Sequence, residues 1–306
     1  MSLGAPAASS QSPLGTPPTP GSVRQIRLSL PEKDWSPTPI ELVRGGVFFQ
    51  ANVNGRTVWA VLDNGADRTA IDRGLVRELG LVDRPGSNDA STPMGPLKST
   101  LVDGVSVEVP RQIAFRDTLV GLDLSSLSDK IGRRIGLVLG NEILANLAYY
   151  IDTKNMKLYL RQSGKIIPNK AVTRTPIVQG RLVDVRINGS PYRLEIDLGF
   201  NGTVSLSDRA WRRVVAPNNL AGSSRTFDAG GRENATMLSQ PVRFDMAGIT
   251  AMVPVSTQYA DRFGADRFVG MGLFRHFNTL IDGPQGSLLL IPDVAGQTSY
   301  RFDYSY

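Results

Sequence analysis

The chain of 306 residues has no cysteine and one histidine, and these two absences remove whole classes of chemistry. Without thiols there is no disulfide, no cysteine nucleophile and no thiolate metal site. His276 alone cannot build a multi-histidine zinc site. A Ser-His-Asp triad would have to use it, yet its surroundings, GLFRHFNTL, hold no nucleophile elbow, so it reads as a structural or surface histidine beside a short helix. Phosphate-cradling loops are missing as well, because GLVLGN and DAGGRE have the wrong spacing for one. Long apolar runs are also absent. The most apolar window, residues 135–151, is broken by Asn141, Glu142 and Asn146, and at about 17 residues it lies at the bottom of the spanning range, so no transmembrane segment is expected. The formal charge is +6, but the basic residues are scattered with no interleaved aromatic residues, which argues against nucleic-acid binding. No cofactor and no metal are expected.

What is present favours strands. The chain carries 31 Gly and 20 Pro, and its apolar runs are short and bounded by them, which predicts an all-β protein with a few short helices. Residues 1–35, rich in Ala, Ser, Pro and Gly, read as a disordered leader or linker without the charged and apolar regions of a signal peptide. Within them RQIRLSL, near 24–30, alternates like a strand, as does SYRFDYSY at 299–306. Both are expected to pair between the two lobes described next.

The chain resembles itself. VNGRTVWAVLDNG (53–65) returns as INGSPYRLEIDLG (187–199), each with Asn-Gly, a short apolar strand and Asp-x-Gly. Gly55 precedes Asp63 by the same eight positions that separate Gly189 from Asp197, and six residues past the acids stand Thr69 and Thr203. A helix is expected after each acid, capped by Asp72 and stopped by Gly80 in one copy, and capped by Ser207 in the other. Each copy then closes alike, with Gly140 twelve positions before Asp152 and Gly270 twelve before Asp282. Two homologous β-rich lobes follow, 36–165 and 166–306, related by a pseudo-twofold axis with a cleft between them.

An acid ending a buried strand is costly unless it is hydrogen-bonded or paired. If the pseudo-twofold brings Asp63 and Asp197 together, they share one proton and their titrations split. One then acts as base and the other as acid on a water that attacks a peptide carbonyl. Gly65 and Gly199 suit a tight turn where backbone N–H groups approach the carboxylates.

These halves resemble lobes of the retropepsin-like aspartic peptidases, whose signature is an apolar strand, Asp-Thr/Ser-Gly, often Ala-Asp, and later an apolar-Gly-x-x-x-Leu helix. Lobe one supplies Asp63, Gly65, Ala66 and Asp67, then Gly140 and Leu144. Lobe two supplies Asp197 and Gly199, then Gly270 and Phe274. The resemblance covers about residues 40–292, and the chain is similar to bacterial members in which two lobes are fused. It implies a catalytic dyad of Asp63 and Asp197, an extended polypeptide substrate in the interlobe cleft held by strand-like hydrogen bonds, a monomeric enzyme, and a periplasmic or otherwise exported location. It also implies cleft contacts from Ala66, Asp67, Phe200 and Asn201. Flap hairpins are implied around Met94 and Gly95, and around Gly230 and Gly231.

Three departures matter. Asn64 and Leu198 stand where the family has the Thr or Ser whose hydroxyl links the lobes, so that lattice is expected to be asymmetric or absent. Asn141 follows Gly140 where retroviral enzymes place an arginine that pairs with the second acid, so Asp67 needs another partner or faces solvent and substrate. Ala66 and Asp67 are matched by Phe200 and Asn201, so the two cleft walls should prefer different side chains. The favoured reading is an active aspartic endopeptidase. The alternative is a catalytically weak or inactive duplicated scaffold that binds peptides or proteins.

Overall fold

The computed structural model describes residues 26–31, 33–86, 89–92, 94–167, 173–257, 266–292 and 297–301, and most of them lie in strands. The first half runs β1 (Thr38–Val43), β2 (Gly46–Val53), β3 (Arg56–Leu62), β4 (Ala70–Asp72), α1 (Arg73–Glu78), β5 (Asp83–Pro85), β6 (Ala90–Thr92), β7 (Gly95–Leu97), β8 (Thr100–Val109), β9 (Ile113–Leu122), α2 (Ser125–Ile131), β10 (Leu137–Leu139), α3 (Asn141–Leu144), β11 (Ala148–Asp152) and β12 (Lys157–Arg161). The second runs β13 (Thr175–Pro176), β14 (Leu182–Ile187), β15 (Ser190–Asp197), β16 (Val204–Leu206), α4 (Asp208–Val214), β17 (Leu220–Phe227), β18 (Glu233–Ser239), β19 (Val242–Met246), β20 (Ile249–Val253), β21 (Val255–Thr257), β22 (Arg267–Gly270), α5 (Met271–Phe274), β23 (Asn278–Asp282), β24 (Ser287–Ile291) and β25 (Ser299–Arg301). The all-β expectation holds. Among the described residues no helix is long and apolar enough to cross a membrane.

Local chemistry accounts for many of these elements. The pairs Asn54-Gly55 and Asn188-Gly189 both adopt positive φ, as a two-residue hairpin turn requires, and each joins an antiparallel pair, β2–β3 and β14–β15. The Asp72 carboxylate accepts from Leu75 N–H at the start of α1, and the Ser207 hydroxyl accepts from Ala210 N–H at the start of α4. Alternation decides which face of a strand is inward: in β14, Val183, Val185 and Ile187 are buried while Asp184 and Arg186 are exposed.

Both halves place their acid strands by the same pairing pattern. In the first, β3 lies parallel to β10, β10 antiparallel to β4, and β4 parallel to β9. In the second, β15 lies parallel to β22, β22 antiparallel to β16, and β16 parallel to β21. Every acid strand therefore runs beside the strand that delivers the closing glycine.

The halves are joined differently from the expectation. β11 pairs antiparallel with β23, flanked by β12 and β24, so the segments that close each half form one continuous sheet. Among the described residues, the two terminal runs take no part in that junction. Of RQIRLSL only Ser29 makes ladder contacts, an isolated bridge to Ala114 in the first half, with Ile26, Leu28 and Leu30 against the core; positions 24 and 25 lie outside the described residues. β25 adds to the far edge of the second sheet beside β20, and positions 302–306 lie outside the described residues. The physical reason is that apolar alternation reports which face of a strand is buried and says nothing of which edge accepts it.

Candidate active site

The acid turns are near-mirror copies in hydrogen bonding. Asp63 Oδ1 accepts from the N–H of Gly65 (3.0 Å) and Ala66 (3.1 Å), and Asp197 Oδ1 accepts from the N–H of Gly199 (2.9 Å) and Phe200 (3.0 Å). Each carboxyl lies over the glycine of the other turn. A Cβ built on Gly65 would sit 2.5 Å from Asp197 Oδ1, and one built on Gly199 would sit 2.5 Å from Asp63 Oδ1. The two aspartates are thus face to face across the junction of the halves, and the glycines are there because nothing larger fits beneath the opposing carboxyl.

This arrangement acts on the charges. Burial raises the Asp63 carboxyl above its ordinary value, against the N–H groups of Ala66 and Gly65 and the Arg181 cation, and the Asp67 charge adds to the rise. Asp197 is raised further, by burial first, then by the charges of Asp63 and Glu195. Two carboxyls so placed hold one proton between them more readily than none.

Behind the acids, the closing glycines hold the turns. Asn141 N–H donates to Ala66 C=O and Met271 N–H donates to Phe200 C=O, both at 2.8 Å. A Cβ on Gly140 would meet the Arg68 carbonyl carbon at 2.5 Å, and one on Gly270 the Phe200 oxygen at 2.3 Å. Leu144 and Phe274, in the short helices that follow, are buried. Thr69 and Thr203 are buried too, and the Thr69 hydroxyl accepts from Gly140 N–H at 3.0 Å.

Residues 49–142 match the family model described as aspartyl protease. This part of the chain is a retropepsin-like aspartyl protease fold. No curated protein matches the chain.

The bonding between the two acid turns is asymmetric. Asn64 Nδ2 donates to Ile196 C=O (2.9 Å), and Asn64 Oδ1 accepts from Leu198 N–H (2.8 Å). One amide therefore bonds to the backbone of the other half on both sides of Asp197, while the Leu198 side chain goes wholly into the core. Asp67 finds its cation in the other half: Arg181 Nη1 stands 2.8 Å from Asp67 Oδ1, and Arg181 Nε 2.7 Å from Glu195 Oε1.

The two acid turns have different neighbours. On the first-half side Val61 and Ala66 pack with Ala90 and Leu97 of the β6–β7 hairpin against Phe48, Leu122 and Val138. On the other side Phe200 is buried against Phe268, ring centroids 6.2 Å apart, and the exposed Asn201 lies against Gly45 of the first half.

Both candidate flaps are hairpins, β6–β7 carrying Met94 and Gly95 and β17–β18 turning at Gly230 and Gly231, and their tips hold each other. Arg232 Nη2 donates to Gly95 C=O (3.0 Å) and to the Thr92 hydroxyl (2.8 Å), Nη1 donates to Pro96 C=O (3.1 Å), and Nε donates to Asp228 (2.7 Å). Asp228 also accepts from the Thr92 hydroxyl at 2.8 Å. Burial works against the Asp228 charge, yet Arg232 and Thr92 hold its carboxyl below the ordinary value. Gly231 rests on Ser126 of α2, and Gly230 on Leu97.

His276 follows α5 beside Arg275, whose Nε donates to its Nε2 at 3.4 Å, and burial pushes its imidazole down to about 4. Among the described residues no group of three or more His, Asp or Glu side chains is gathered to hold a metal ion. Sequence reasoning missed Glu195, Arg181, Arg232, Asp228 and Thr92. Glu195 carried a signal: it stands two positions before Asp197 on a strand, so both project from one face.

Proposed function

We propose that the protein is an aspartic endopeptidase that hydrolyses an extended polypeptide with Asp63 and Asp197 as its dyad. The observation that carries this reading is the reciprocal stacking of each carboxyl on the other turn's glycine, because it supports two acids close enough to share a proton. Asp63, whose anion the Arg181 cation favours, is the base that takes a proton from water. Asp197 gives its proton to the scissile carbonyl oxygen as the water oxygen bonds to the carbonyl carbon; the diol then collapses as Asp63 passes its proton to the leaving nitrogen, the C–N bond breaks and a diol hydroxyl returns a proton to Asp197. No covalent intermediate is needed.

The peptide lies between a first-half wall of Val61, Ala66, Asp67 and Leu97 and a second-half wall of Phe200 and Asn201, under the paired hairpins. Because one chain supplies both acids, it works as a monomer, and the matching strand order of its halves supports an origin by duplication. The scaffold reading, peptide binding without hydrolysis, loses its main support where Asn64 makes both bonds that a missing hydroxyl would have made. The test is cleavage of an unstructured protein across acidic to neutral pH by wild type, Asp63→Asn and Asp197→Asn. Wild type should cut and both variants should lose at least a hundredfold in rate; cleavage that survives either change would sink the assignment.

A further inference from the structure

The second half carries a carboxylate that the first half does not. Glu195 stands on β15 two residues before Asp197, on the same face of the strand; the matching position in β3 is Val61. Glu195 is only 6% exposed, and a buried acid needs a reason. Its oxygen lies 2.7 Å from Arg181 Nε, and Arg181 is itself fixed because its backbone carbonyl accepts from Ile196 N–H at 2.9 Å, one residue from the acid. Packing in the first half fills the same place with an apolar side chain, so structure alone does not demand a charge there.

We propose that Glu195 is a positioning residue of the site, whose charge decides that Asp197 rather than Asp63 carries the shared proton. This rests on the dyad reading given above. The charged groups around it sort by side. Arg181 comes from the turn before β14 and lies between Glu195 and Asp67, whereas Arg267 comes from β22 beside Phe268, the register partner of Glu195. Asp63 and Asp67 face it from the first acid turn. Burial raises the Glu195 carboxyl, and Arg181 and Arg267 oppose that. Once Glu195 is ionised, its like charge disfavours a second anion at Asp197, while Arg181 favours the anion at Asp63. The result is a fixed division of roles and an active, singly protonated pair that persists to higher pH.

The experiment follows the carboxyl carbons of 13C-aspartate-labelled protein by NMR as pH rises, with Asp63→Asn and Asp197→Asn for assignment, in wild type and Glu195→Gln. In wild type Asp197 should titrate above Asp63. In Glu195→Gln the Asp197 titration should fall by about one pH unit, and the basic limb of kcat/KM should move down with it. An Asp197 titration unmoved in folded Glu195→Gln overturns the proposal. So does wild type with the proton on Asp63, a result that does not depend on whether Glu195→Gln folds. A shift of the NMR titration in a protein that cleaves nothing leaves this inference standing and refutes the peptidase reading instead.

Discussion

Leu198 donates its backbone N–H to the side-chain oxygen of Asn64 at 2.8 Å, although the two residues hold equivalent places in the two acid turns. The pair shows how a nominally twofold site dispenses with symmetry. A hydroxyl on each turn would make two equivalent sets of bonds. Here one amide, with a donor and an acceptor at once, makes a full set from one side, which frees the other position for a core leucine.

Asn64→Ala should therefore be costly. It leaves the Leu198 N–H and the Ile196 C=O buried without partners, for an expected loss of roughly 2–4 kcal/mol. Denaturant unfolding measures this, and kcat should fall as the second turn loosens. A variant as stable as wild type would mean that the amide bonds contribute nothing net.

Gly65→Ala and Gly199→Ala should separate structure from chemistry. Each Cβ would stand 2.5 Å from an oxygen of the opposing carboxyl, so the acids must move apart. We expect kcat to drop about a hundredfold or more with a smaller effect on KM, because misplacement by about an ångström suffices for such losses. Steady-state kinetics on a cleavable peptide decides it.

Arg232→Ala should release the hairpin tips. It removes the bonds to Thr92, Gly95 and Pro96 and leaves the fully buried Asp228 carboxyl without its cation. Hydrogen exchange should accelerate in β6–β7 and at 228–232 while the β11–β23 junction keeps its protection. Equal protection in both proteins would show that the tips are held by packing alone.

The dyad should make the protein less stable as pH rises. Asp63 and Asp197 are raised above the ordinary 3.8, so between that value and their native ones the folded state binds more protons than the unfolded chain. Their contribution is complete below about 3.8 and is lost as pH climbs through the native titrations. Asp197→Asn, which has no charge to desolvate, should raise Tm by a few degrees at pH 7 and hardly at all at pH 4. Thermal melts of both proteins at both pH values test the sign.

Much of this protein was determined by sequence alone, wherever the cause is local. Asn-Gly sets the hairpins that precede the acids, Asp72 and Ser207 cap their helices, and a glycine two positions past each acid marks a turn with no room for a side chain. The repeat of those local signals also brought Asp63 and Asp197 together as a candidate pair. Tertiary structure decided the rest: that Asn64 serves both sides of Asp197, that Asp67 pairs with Arg181, that Arg232 ties one hairpin to another, and that β11 and β23 join the halves. In each case the partner is far along the chain. Residue type and periodicity tell which group needs a partner and which face is buried, whereas the fold alone brings the partner within reach.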